Sequence, residues 1–224
     1  ILSRLAVIVQ FLWSDFTHVY YMLLRYLTPQ QARVLKEWKR KAIASSDWSG
    51  WCQEHIDGRN KMLDLLRRKR FLKHRSLTRA EINELFKCAK SGQGGARVLC
   101  KDESPRRISN ALRFLLDEKE SLPGRFERFD QLKGAGVWTT SQILSKWRPR
   151  KYAFVAIGGS RAKPFMKDTV FDRLSRQRLD AAEEDATIEY GIDPDNCSRG
   201  TIKYLGLSKV LAEVKELAAL DYYW

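Results

Sequence analysis

Leu132-Lys133-Gly134-Ala135-Gly136-Val137-Trp138-Thr139-Thr140, continued by Ser141-Gln142-Ile143-Leu144, is the stretch that decides how this chain is read. Two glycines one residue apart let the backbone turn tightly with positive φ, and Val137, Thr140, Ile143 and Leu144 then recur at helical spacing. Just upstream, Phe126, Phe129 and Leu132 share one face of a helix expected from about Arg125 to Leu132. The spacing predicts two helices joined by a hairpin, with their apolar stripes turned towards each other.

A helix that starts directly after so tight a turn has first-turn N–H groups without intrahelical acceptors, at the positive end of its dipole. Such amides suit a phosphate.

The segment resembles the helix-hairpin-helix motif of DNA-binding proteins, in which a Leu-x-Gly-x-Gly hairpin grips one strand's backbone without reading its sequence. Its flanks resemble the helix-hairpin-helix DNA glycosylase superfamily over roughly residues 105 to 175. Arg106 to Leu116 takes the place of that family's preceding amphipathic helix, and Gly158-Gly159, Pro164, Asp168-Thr169 and Arg173-Leu174 resemble its Gly/Pro-rich loop and aspartate. The resemblance implies duplex DNA as partner, held through its backbone, with Lys133, Gly134, Gly136, Val137, Trp138, Thr139, Thr140, Lys146, Arg148 and Arg150 as contact residues. It implies Asp168 as the catalytic carboxylate of a monofunctional base-excision enzyme, needing no cofactor and no metal. Trp138 stands where bifunctional members carry a nucleophilic lysine, and the Trp138-Thr139 pair is similar to the alkylation-damage branch. Asp168 lies farther from the hairpin than is usual in the family, as though residues 156 to 167 were an inserted loop.

Composition points to the same class of partner. Lys and Arg number 41 against 27 acidic residues, a formal charge of +14, and a positive field of that size concentrates polyanions. The hydrophobic share of 44% is enough for a core in a chain of 224 residues. The densest basic run, Arg67-Arg68-Lys69-Arg70 followed by Lys73-His74-Arg75, reads as a phosphate-contacting surface, a nuclear localisation signal or a solvated helix face. The expected location is nuclear or cytoplasmic.

Cys52, Cys88, Cys100 and Cys197 are widely separated and no Cys or His pair has ligand spacing, so reduced thiols are expected rather than a metal site. Residues 1 to 27 are very apolar, but Asp15, Thr17 and His18 interrupt them, which argues for a buried helix over a membrane span of about 20 uncharged residues. No membrane partner is expected. Ile1 opens the chain without an initiator methionine, as a fragment of a longer protein would.

Further helices are expected from Thr28-Pro29 to about Ala44, from Ser46 to about Gly58, from the capping-box spacing Thr78 to Glu81 through Ala89, from Ser104-Pro105 to Asp117, and from Ser208 to Leu220. Tyr152 to Ile157 reads as a strand or an extended lining segment. Ser91-Gly92-Gln93-Gly94-Gly95 reads as a flexible connection between a basic helical region, 1–90, and a hairpin domain with C-terminal helices, 96–224. The fold class expected is all-α, a helical bundle containing a helix-hairpin-helix and divisible into two subdomains.

Two other functions fit these residues. The hairpin can serve a non-catalytic nucleic-acid-binding module, or the Gly-x-Gly turn can be a plain helix connection in a protein-interaction domain.

Overall fold

Short polar side chains decide where the helices of this chain begin. A computed structural model describes residues 24–44, 46–73, 75–89, 93–155 and 176–218. In chain order its helices are α1 (Pro29–Ile43), α2 (Ser46–Arg68), α3 (Arg79–Cys88), α4 (Gln93–Asp102), α5 (Pro105–Leu116), α6 (Leu122–Asp130), α7 (Val137–Trp147), α8 (Arg176–Tyr190) and α9 (Arg199–Leu217). Among the described residues there is no strand, so the protein is all-α.

Thr28 and Gln31 cap α1 reciprocally: the Thr28 amide donates to Gln31 Oε1 at 2.8 Å, and the Gln31 amide donates to Thr28 Oγ1 at 3.1 Å. Thr78 and Glu81 form the same box before α3. Ser104, Ser121 and Ser198 cap α5, α6 and α9 with their hydroxyls. Each cap satisfies an amide that the helix itself leaves open, and is worth about 1 kcal/mol.

The helices bury their stripes in one large apolar cluster that runs from Met62 in α2 through Leu85, Leu112, Phe126 and Ile143 to Tyr204 and Leu211 in α9. It draws on residues from both sides of the glycine-rich stretch at 91–95. That stretch is not a loop throughout, because α4 already begins at Gln93. A smaller cluster joins Leu27 and Leu35 of the α1 region to Val210 and Val214 of α9.

The last helix is the axis of the molecule. It carries buried apolar residues on most of its circumference, including Ile202, Leu205, Leu207, Val210 and Leu211, as a helix does when other helices surround it. Tyr204 has no exposed surface and stacks on Phe126 with ring centroids 4.5 Å apart. α9 starts at Arg199, well before the Ser208 start expected from the sequence. Gly206 is where these early turns pack: a Cβ there would lie 2.6 Å from Glu183 Cγ, so its absence lets α8 close onto α9.

Gly58 corrects a second boundary. It was expected to end a helix, yet α2 passes through it without a break to Arg68. A Cβ at this position would stand 2.5 Å from the Cys88 carbonyl oxygen, so the glycine serves helix approach rather than chain reversal.

α6 begins at Leu122, three residues before the expected start, because Ser121 caps it and Pro123 occupies its first turn, where a missing N–H costs nothing. Tyr152 to Val155 is not a strand. Tyr152, Ala153 and Val155 are buried, and the segment is held by Ser141, whose hydroxyl accepts from the Val155 amide at 3.1 Å. No helix among the described residues is long and apolar enough to cross a membrane, and residues 1–23 of the apolar stretch 1–27 lie outside the described residues. All four cysteines carry free thiols.

Candidate nucleic-acid interface

The corner between α6 and α7 is built by two successive turns. The Leu132 amide donates to the Phe129 carbonyl at 3.1 Å, and the Ala135 amide donates to the Leu132 carbonyl at 2.9 Å. The second turn needs left-handed backbone at its third residue, and Gly134 supplies it with φ of 86°. Gly136 plays a different part from the one expected. Its φ of 172° and ψ of 174° are extended backbone that any residue adopts, so only one of the two glycines is required for the turn itself.

What Gly136 provides is openness. It occupies the N-cap position of α7 without a side chain, so no side-chain bond caps this helix, and a Cβ there would meet no atom within 4 Å. The first intrahelical bond is from the Thr140 amide to the Gly136 carbonyl at 3.0 Å. The amides of Val137, Trp138 and Thr139 precede it and have no acceptor within the helix. They form the positive pole of the α7 dipole beside a bare backbone.

The start of α9, one helix away, is the contrast. Glu127 of α6 accepts from the Ser198 amide at 3.0 Å and from Thr201 Oγ1 at 2.8 Å. Burial acts to raise the Glu127 carboxyl, but the bonds from Thr201, Ser198 and Cys197 outweigh it and hold the group below the usual range. Asp130 also faces this helix start, where its carboxylate oxygen limits any Cβ on Gly200 to 3.1 Å; burial, with Glu127 nearby, pushes its pKa up. The positive pole of α9 is therefore filled by carboxylates from within the chain, and that of α7 is not. One flank of the α7 start is covered, since a Val137 methyl packs against Gly200.

The residues expected to contact DNA separate into three groups. Lys133 projects from the corner with 72% of its side chain exposed, and its ammonium pairs with Asp102 at 2.9 Å. That hydrogen bond raises the lysine and lowers the aspartate relative to their ordinary values. The Lys133 amide donates to Glu103 at 2.9 Å, which anchors the turn on the end of α4. Arg148 is exposed at the far end of α7, 3.5 Å from Glu118, with its guanidinium 5.4 Å from the Trp147 ring. Arg150 is exposed, and its carbonyl accepts from Lys215 at 3.0 Å.

Thr139, Thr140 and Lys146 point inward instead. Thr140 Oγ1 donates to the Gly136 carbonyl at 3.0 Å. Lys146 is 1% exposed, with its ammonium 2.7 Å from His55 Nδ1 and 2.9 Å from the His55 carbonyl. It corrects the sequence expectation: this lysine ties α7 to α2 and offers no charge to a surface ligand. Its spacing along the helix places it on the buried face with Ile143, which the basic tail Arg148 to Lys151 obscured in the sequence. Trp138 is half-buried and meets Phe154 edge-on at 5.4 Å, and its indole N–H is buried without a hydrogen-bond partner among the described residues.

Sequence reasoning missed Arg125. It is 2% exposed and donates to the Leu115 carbonyl and to Tyr152 Oη, both at 2.8 Å, so it fixes the end of α5 and the segment after α7 to the first helix of the corner. Its place among Phe126 and Phe129 was the available signal. Within the densest basic run, Arg68 pairs with Asp64 and Lys69 with Glu81, both at 2.7 Å, which leaves that run partly neutralised. Asp168, with all of residues 156–175, lies outside the described residues. Among the described residues no group of three His, Cys, Asp or Glu side chains could hold a metal ion.

The chain matches no protein-family model, no curated protein and no solved structure.

Proposed function

We propose that this chain binds duplex DNA through its phosphate backbone, using the α6–α7 corner as a helix-hairpin-helix. The observation that carries the reading is the uncapped start of α7 behind a side-chain-free N-cap at Gly136, in a protein of formal charge +14. A phosphate oxygen at that position accepts from the Val137, Trp138 and Thr139 amides without any base being read. Lys133 on the corner and Arg148 and Arg150 at the far end of α7 add charge. Lys133 and Arg148 would exchange their carboxylate partners, Asp102 and Glu118, for phosphates.

The resemblance to the DNA glycosylase superfamily extends the proposal to base excision, with Asp168 stabilising the developing positive charge on the sugar. That extension is tested separately. An Asp168→Asn variant is expected to keep duplex affinity and lose base release from lesion-bearing DNA, and a parent protein that releases no base from any lesion tried leaves the binding reading alone.

Gly136→Asp tests the binding itself. Aspartate is among the best N-cap residues and the backbone there is extended, so the variant should fold as well as the parent or better. Its carboxylate would occupy the phosphate position. Fluorescence anisotropy with a labelled duplex is expected to show binding that weakens steeply with salt in the parent and falls at least tenfold in the variant. Absence of salt-dependent binding, or equal affinity in a folded variant, would overturn the proposal.

A further inference from the structure

Beside the corner runs a groove that the α7 amides do not line. It has a volume of about 340 Å³ and lies between the first turns of α5 and the end of α6, with Ser104, Arg106, Arg107, Asn110, Arg128 and Gln131 around it. Three of its side chains are guanidinium groups, and none of its lining residues is acidic.

Two of the three arginines meet no carboxylate among the described residues. Arg128 lies over the Phe114 ring at 4.4 Å, a neutral partner that orients the guanidinium without using its N–H groups. Arg106 is exposed on the first turn of α5. Arg107 alone faces a carboxylate, Glu103 at 3.0 Å, whose other oxygen is taken by the Lys133 amide. Asn110 accepts from Arg113 through its Oδ1 at 2.6 Å, so its NH₂ is the end left to donate. A concave site lined by several donors and no acidic residue, at the positive end of a helix, selects a compact, multiply charged anion with several acceptor oxygens.

We propose that this groove is a phosphate site. It takes either a backbone phosphate of the DNA strand held by the corner or the phosphate of a free nucleotide. The strand source rests on the DNA-binding reading, and the nucleotide source does not. The geometry favours the strand. Leu132 lines the groove and Gly136 begins the amide site four residues later, so the two lie no more than about 14 Å apart. Successive phosphates on one strand advance about 3.4 Å along the duplex axis, which puts both sites within reach of a few nucleotides.

The test uses the full chain as parent, as Arg106→Glu, as Arg106→Ser with Arg128→Ser, and as Gly136→Asp. Arg106→Glu changes only an exposed position, so it keeps the test informative if the double variant fails to fold. Duplex binding is followed against salt, and binding of AMP and of inorganic pyrophosphate by titration calorimetry. A strand phosphate predicts that the groove variants bind duplex about five- to tenfold more weakly with a salt slope smaller by about 1 to 2, and bind AMP no better than the parent. A free-nucleotide site predicts AMP or pyrophosphate binding in the parent that the groove variants lose, and Gly136→Asp leaves it intact. Either result supports the groove. Unchanged duplex, AMP and pyrophosphate affinities in folded groove variants would overturn it, whatever Gly136→Asp does to the corner.

Discussion

Two glycines in α2 give the same substitution opposite consequences. Alanine at either Gly50 or Gly58 narrows the unfolded ensemble and raises helix propensity, together worth up to about 1 kcal/mol. At Gly50 a Cβ meets nothing within 4 Å, so that gain is realised. At Gly58 the new methyl would stand 2.5 Å from the carbonyl oxygen of Cys88 and 3.6 Å from its carbon. The obstacle is main chain at the end of α3 and cannot rotate aside, so α2 and α3 must part along a contact that supports Met62, Leu85 and Phe86 in the core. Overpacking of this kind costs about 1–3 kcal/mol, which exceeds the propensity gain. Gly58→Ala is therefore expected to lose about 1–2 kcal/mol net and Gly50→Ala to gain up to about 1 kcal/mol. With about 2–4 °C per kcal/mol for a chain of this size, their melting temperatures should differ by roughly 2–12 °C. Thermal unfolding followed by far-ultraviolet circular dichroism measures this directly. A Gly58→Ala protein that melts at or above the parent would refute the close-approach argument.

Lys146→Met should lower stability by about 1–3 kcal/mol in urea unfolding, because it removes the buried ammonium bonded to His55 Nδ1 at 2.7 Å and to the His55 carbonyl at 2.9 Å, while duplex affinity per folded molecule stays the same. A loss of affinity in the folded variant would return this lysine to the interface. Acid should weaken the fold in a defined window. The bonds from Lys69 and the Thr78 amide lower the Glu81 carboxyl to about 2, below its value of about 4.3 in an unfolded chain. The folded state thus favours the ionised form, and this stabilisation is complete above the unfolded pKa and lost as pH falls from about 4.5 towards 2. Glu81→Gln should flatten that part of the stability profile, and an unchanged acid slope in the variant would contradict the assignment.

Much of the helical plan was legible because its signals are local. Thr28 before Pro29, Thr78 with Glu81, and Ser104 before Pro105 mark helix starts within four residues of sequence, and each is a bonded cap in the fold. The errors arose where a residue answers to a distant partner. Gly58 looks like a helix end in a linear reading, yet it is a contact point that only the approach of Cys88 explains, and Gly206 plays the same part against Glu183. Gly94 and Gly95 fall inside α4 although the glycine-rich stretch reads as a loop. At the corner, the pair of glycines was visible, but their separate duties were not: Gly134 carries the left-handed turn and Gly136 keeps the helix start bare. Lys146 counted as charge in the sequence because burial is a property of the packed face, and Arg125 went unnoticed for the same reason.

The most direct measurement is an NMR titration of a short duplex into isotope-labelled protein, following the backbone amides of Val137, Trp138 and Thr139. These three resonances are expected to move together at the lowest duplex concentrations and to return as salt is raised. Duplex binding that shifts other amides and leaves these three in place would contradict it.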